Sequence, residues 1–70
     1  MKYLIVIEKT ATGFSAYSPD LEGCAATGSD RNEVHQAMES AITMHLDALR
    51  EDGHPVPEPK SSSSYVEVPA

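Results

Sequence analysis

Apolar and polar positions change period twice along this chain. Lys2-Tyr3-Leu4-Ile5-Val6-Ile7-Glu8 is rich in β-branched and aromatic residues and too short for a helix of that apolarity, so it predicts a strand at about residues 2–8. Side chains alternate along a strand, which sends Tyr3, Ile5 and Ile7 one way and Leu4 and Val6 the other. Two apolar faces predict a central strand, covered by a helix on one side and by a neighbouring subunit on the other. Lys9-Thr10-Ala11-Thr12-Gly13 then reads as a hairpin loop in which Gly13 is free to take a positive φ. Phe14 to Ser18 is the second strand (about 14–18), with Phe14, Ala16 and Ser18 on one face and Ser15 and Tyr17 on the other. Pro19, Asp20 and Gly23 force a reversal: proline presets φ, aspartate bonds its own backbone, and glycine accepts a φ that Leu21 or Glu22 would resist. Cys24 to Gly28 is a weaker third strand (about 24–28), whose small residues and last glycine permit a close approach by the helix or another backbone.

The period then lengthens from two to between three and four. Val34, Met38, Ala41, Ile42, His45 and Leu49 share one helical face, and Ala37 and Leu46 widen it. Asp30 is placed as the N-cap, with Glu33 three residues on as in a capping box. Gly53 is placed just past the end and Pro55 blocks continuation, so the helix is predicted at about 31–52. Val56-Pro57-Glu58-Pro59 is stiff and extended, and Lys60 to Ser64 is a polar connector. Tyr65-Val66-Glu67-Val68 alternates again and predicts a final edge strand at about 65–68, ended by Pro69. The predicted order is β-β-β-α-β, an α+β fold with an antiparallel sheet and one long helix on one face, in a single domain over residues 1–70.

Size changes how that fold must be held. Seventy residues bury only about 60% of the surface the unfolded chain exposes. Cys24 is the lone cysteine, which excludes an intrachain disulfide, and no Cys/His cluster offers a structural metal. Self-association is the remaining common stabiliser, so a homo-oligomer of at least two copies is expected. The apolar run after Met1-Lys2 is shorter than a secretory core or a membrane span requires, and the expected location is the cytoplasm, off the membrane.

Charge narrows the partners. The net charge is −6, and the segment from Asp30 to Pro59 holds seven acids against two bases, thus −5 of it. Such a surface repels phosphate backbones, so direct nucleic-acid binding is not expected. Glu39, Asp47 and Glu51 fall off the apolar stripe of the helix. An exposed acidic face there keeps the protein soluble and can also steer a basic protein partner.

Catalytic chemistry finds little purchase. Cys24 has no base or cation beside it in sequence and reads as a small packed residue. His35 and His45, ten apart, sit about 80° from each other around a helix and do not form the i,i+4 pair of a metal site. His45 lies on the apolar stripe, and His54 follows the C-cap, where it can interact with the helix dipole. Gly13, Gly23, Gly28 and Gly53 are isolated and build no phosphate loop. The expectation is a non-enzymatic chain with no cofactor and no metal.

One combination is more specific than its parts. Ser18-Pro19-Asp20-Leu21-Glu22-Gly23-Cys24, then Thr27-Gly28-Ser29-Asp30 opening a helix, then Asp52-Gly53-His54-Pro55-Val56-Pro57-Glu58-Pro59 leaving it, resembles the N-terminal, partner-binding domain of the HicB antitoxins of HicA–HicB type II toxin–antitoxin pairs. The resemblance runs from Lys2 to Val68. It implies a fold related to a degenerate ribonuclease H and a chain that binds and sterically neutralises a small basic HicA-type ribonuclease toxin. The catalytic histidine it implies belongs to the toxin. Full-length antitoxins of this kind commonly carry a ribbon-helix-helix or helix-turn-helix segment; with only Pro69 and Ala70 after Val68, no C-terminal DNA-binding domain is expected here. The candidate partner-binding residues are Glu39, Asp47 and Glu51, and the turn and cap residues are Pro19, Asp20, Gly23, Asp30, Gly53 and Pro55. The alternative is an oligomeric binding domain that has no toxin partner. A more distant one, raised by the ribonuclease H relation, is a residual hydrolase using Asp20, Glu22 or Glu8, although two-metal nuclease chemistry needs several acids converging on one point.

Overall fold

A computed structural model describes residues 1–69. Strand β1 spans Val6–Lys9, β2 Phe14–Tyr17 and β3 Ala25–Gly28, and helix α1 spans Arg31–Glu51. The strands form one antiparallel sheet in the order β1-β2-β3. The central strand is therefore β2, and the apolar N-terminal run lies at an edge instead of in the middle.

That run also pairs over a shorter length than its composition predicts, and Pro19 explains why. Partners in the β1–β2 register are Val6 with Tyr17 and Ile7 with Ala16, so two more steps would set Leu4 opposite Pro19. Proline has no N–H to give to the Leu4 carbonyl, and a ladder cannot continue through it. The Ser18 hydroxyl donates to that carbonyl instead, at 3.0 Å. Residues 3–5 are carried alongside the sheet without joining it.

The first connection is closed by the Thr10 N–H donating to the Gly13 carbonyl at 2.8 Å. Gly13 does not take a positive φ, contrary to the sequence expectation. A glycine is needed there for space, because a Cβ would lie 2.5 Å from the Gly28 carbonyl oxygen. The second connection follows the turn chemistry more closely: Gly23 has φ 78°, and Leu21 and Cys24 donate their N–H groups to the carbonyls of Ser18 and Leu21, both at 3.2 Å. This turn is not a solvated tip. Leu21 is 1% exposed and belongs to the core cluster with Ala16, Cys24, Val34 and Met38.

Helix α1 lies on one face of the sheet, mainly over β3 and β2. Val34, Met38 and Leu46 meet Ala16, Leu21 and Cys24, and Tyr3, Ile5, Ile7, Phe14, Ala26, Ala41, Ile42, Leu49 and Val56 pack around them. Complete burial of Leu21, Met38 and Val34 contributes about 1.5–3 kcal/mol each. Asp30 caps the helix, its carboxylate accepting from the Glu33 N–H at 2.8 Å. Glu33 reaches one residue beyond the capping-box pattern, to the N–H and hydroxyl of Ser29 at 3.1 and 2.9 Å. At the other end Gly53, at φ 72°, donates to the Arg50 carbonyl and His54 donates to the Leu49 carbonyl, both bonds of a Schellman cap.

After the cap the chain folds back over the sheet's end. Val56 packs on the core, and the Tyr3 hydroxyl donates to the Pro57 carbonyl. Asp20 then holds the N–H groups of Lys60 and Ser61 and the Ser61 hydroxyl. The strand expected at 65–68 does not form: among the described residues no ladder partner meets it, and Tyr65, Val66 and Val68 stand in solvent at 101%, 81% and 68% exposure. A strand exists only through the backbone it pairs with.

Candidate partner-binding surface

The helix that buries Val34, Met38 and Leu46 must present its other residues to water, and the three acids singled out from the sequence are all exposed. Asp47 and Glu51 are one turn apart. Glu39 lies about 80° around the axis from Asp47 and about 12 Å along it, so the three make a diffuse stripe and not a cluster. Arg50 approaches Asp47 at 3.4 Å in an exposed i,i+3 pair, a contact worth a few tenths of a kcal/mol that softens the negative charge locally.

Glu39 differs from the other two in its surroundings. Because residues 3–5 run beside the sheet unpaired, a shallow apolar groove opens between them and the helix, lined by Tyr3, Ile5, His35, Met38, Glu39 and Ile42. Glu39 and His35 supply its polar rim. The sequence pattern places Tyr3 and Ile5 on a strand face and Met38 and Ile42 on the helical stripe, each as core. The groove between them exists because Pro19 ends the ladder of β1, an effect of one strand on another that periodicity does not carry.

The turn residues have structural work. Asp20, expected to bond its own turn backbone, clasps residues 40 positions away with its carboxylate, accepting from Lys60 N–H at 3.0 Å, Ser61 N–H at 2.9 Å and Ser61 Oγ–H at 2.7 Å. The Ser61 N–H, followed by the Ser61 hydroxyl, holds its pKa below the ordinary 3.8. A carboxylate so engaged is not a free general base. Glu8 and Glu22 are exposed, and among the described residues no group of three or more His, Cys, Asp or Glu side chains converges as metal ligands. Cys24 is buried, and desolvation pushes its thiol above the ordinary 9.0, away from nucleophilic reactivity. His35 and His54 are exposed and His45 is half-buried on the helix's core side. Among the described residues no helix is long and apolar enough to cross a membrane.

Comparison with known proteins gives this surface a context. Residues 3–70 match the family described as HicB_like antitoxin of bacterial toxin-antitoxin system. The chain is 30% identical over 69 residues to an uncharacterized 14.9 kDa protein in the rep-hol intergenic region of Haemophilus phage HP1 (strain HP1c1), covering 99% of this chain and 52% of that protein. It thus spans about half the length of that curated relative. Among solved structures, a chain of the HicA3 and HicB3 toxin-antitoxin complex superposes with a TM-score of 0.73 at 37% identity, over 86% of this chain and 70% of that one. The three antiparallel strands with one long helix are the fold shared with that neighbour. This chain belongs to the HicB-like antitoxin family of bacterial toxin–antitoxin systems.

Proposed function

We propose that this chain is a non-catalytic antitoxin domain that binds a small basic HicA-type ribonuclease toxin in the cytoplasm and blocks its active site sterically. Family membership and likeness to a chain of a HicA–HicB complex support a toxin partner. The observation that carries the mechanism is the pairing on one helix of exposed acids with an apolar groove: Asp47 and Glu51 in open solvent, Glu39 at the rim beside Tyr3, Met38 and Ile42. Exposed acids raise the rate of encounter with a basic partner, whereas desolvated apolar contacts set how long it stays. A net charge of −6 disfavours contact with a phosphate backbone, which supports a role exerted through protein contacts.

The test is kinetic. The triple variant Glu39→Lys, Asp47→Lys and Glu51→Lys is measured, at two salt concentrations, against a purified HicA-type toxin that the wild-type chain binds. Association should slow at low salt by roughly an order of magnitude, the difference should shrink at high salt, and dissociation should change less. An association rate that ignores the triple reversal at low salt rejects the acidic face as the approach surface. Failure of the wild-type chain to bind any such toxin rejects the proposal as a whole.

A further inference from the structure

The sheet edge opposite β1 belongs to β3, and the groups it exposes follow from the register. The Ser18 N–H donates to the Cys24 carbonyl at 3.2 Å, and bonded and non-bonded pairs alternate along an antiparallel ladder. With Tyr17 opposite Ala25 and Ser15 opposite Thr27, the bonded pairs are Ser18–Cys24, Ala16–Ala26 and Phe14–Gly28. Ala25 and Thr27 therefore turn their N–H and C=O groups away from β2. Among the described residues no strand lies beyond β3 and no hydrogen bond meets those groups. β3 has no lysine or proline of the kind that blunts an edge, and Ala25 and Thr27 are themselves exposed.

Room for a further strand exists on both sides of that edge. On the outer face of the sheet a shallow depression beside Ala25 is bordered by Tyr17, Pro19 and Glu22. On the helix face a second depression beside Ala25 is bordered by Ala41, Met44 and His45. Met44 is 71% exposed and Tyr17 44%, so two large apolar side chains flank an unpaired backbone. A neighbouring strand would sit about 4.8 Å from β3 and send alternate side chains to the two faces, hence into the two depressions.

Position and charge select the occupant. The chain's own tail is held elsewhere: Asp20 clasps Ser61, and Ser63 and Tyr65 lie beside Leu4 to Ile7 on the opposite edge. A second copy would bring like charge. Glu22 is exposed at the turn into β3, and Glu51 is exposed on the flank of the helix that carries Met44, two turns on and about 20° around. The bases stand away from this edge. Lys2 and Lys9 are in the N-terminal run, Arg31 borders the groove of Leu4 to Ile7, Lys60 is at the clasp, and Arg50 already faces Asp47. A basic segment complements the β3 edge.

We propose that the β3 edge takes an extended basic segment of the toxin as an added strand, with an apolar side chain against Ala41 and Met44 and lysine or arginine beside Glu22 and Glu51. This rests on the toxin-binding reading above and names how the partner is held. Main-chain bonds to Ala25 and Thr27 supply affinity, and the two depressions with their flanking acids select the sequence. Glu39 and its groove lie about 140° around the helix from Met44, so the two surfaces are separable by mutation.

Thr27→Pro removes one outward donor and leaves the β2–β3 bonds in place, a change an edge strand accepts where its N–H faces solvent. Met44→Lys sets a like charge before a basic partner at an exposed position. Lys9→Pro is the matching change on the opposite edge, where the register also turns the N–H away from β2. Binding of each is measured against a purified HicA-type toxin. Thr27→Pro and Met44→Lys should each bind at least tenfold more weakly, chiefly through faster dissociation and with wild-type helix content, and Lys9→Pro should bind as wild type. If Thr27→Pro does not fold, Met44→Lys and amide exchange decide. Ala25 and Thr27 should exchange freely in the isolated chain and become protected in the complex, a signature that side-chain docking does not give, while Ala26 and Gly28 stay protected in both. Unchanged binding by the β3-side variants, or Ala25 and Thr27 unprotected in the saturated complex, overturns this inference and leaves the toxin-binding reading standing. Protection of Ala25 and Thr27 in the isolated chain that grows with concentration overturns it in favour of a second copy. A wild-type chain that binds no such toxin overturns both readings.

Discussion

Gly28 ends β3 two residues before the N-cap, and its hydrogen is all the space the helix leaves. A Cβ built there lies 2.6 Å from the Val34 nitrogen, 2.9 Å from the Val34 Cα and 3.0 Å from the Glu33 carbonyl carbon. All three are backbone atoms, so no side-chain rotation relieves the contact. Gly28→Ala must move the start of α1 off the sheet. Overpacking of this kind costs about 1–3 kcal/mol. Gly28 is not in the left-handed region, so alanine recovers about 0.4–1 kcal/mol from the less flexible unfolded chain. The net expectation is a loss of about 1–2 kcal/mol, a large part of the roughly 3–5 kcal/mol a core this small supplies. At about 4–8 °C per kcal/mol, Tm should fall by about 5–15 °C in a thermal melt followed by circular dichroism. Truncating Val34 to alanine should not rescue the variant, since the clash is with its backbone. Gly23→Ala is the contrasting control: nothing lies within 4 Å of its Cβ position, but φ of +78° makes alanine strained. It should destabilise through the turn and leave amide exchange in the first helical turn unchanged. A Gly28→Ala protein melting at or above the wild-type temperature refutes the reasoning.

Two titrating groups give further checks. The folded-state pKa of Asp20 lies below its ordinary value, so the clasp on residues 60–61 stabilises the fold fully above that ordinary value and is lost as pH falls through the lowered one. Amide exchange at Lys60 and Ser61 should therefore be slow at neutral pH, quicken relative to intrinsic rates only in strong acid, and be fast at all pH in Asp20→Ala, which removes both acceptor oxygens; protection that survives in that variant would mean the carboxylate is not the anchor. Cys24 is buried and its thiol is pushed up by desolvation, so folded protein at pH 8 should resist a thiol reagent that labels the unfolded chain at once. Rapid stoichiometric labelling of the folded protein would show the site to be open.

Local chemistry is legible residue by residue. Asp30 as a cap, Gly53 with its positive φ, Gly23 in the reversal and the spacing of Val34, Met38 and Leu46 each express a preference satisfied within a few residues, which is why the amino-acid order alone reveals them. The wording of the turn and of the two helix ends likewise suffices to mark the family. What the residues do not express alone is who meets whom. Gly13 has the look of a positive-φ residue and is small because Gly28 passes 2.5 Å from where its Cβ would be. Asp20 has the look of a local turn former and instead grips Ser61. Tyr3 to Ile7 has the composition of a central strand, yet the order β1-β2-β3 puts it at an edge, and its ladder stops short because Pro19, past the end of β2, has no N–H to give to Leu4. Glu39, Asp47 and Glu51 are legible as exposed, but only packing sets Glu39 beside an apolar groove and leaves the other two in open water. Spacing and propensity govern contacts between residues near in sequence; pairing partners, close approaches and grooves depend on residues far apart, and those the tertiary structure alone decides.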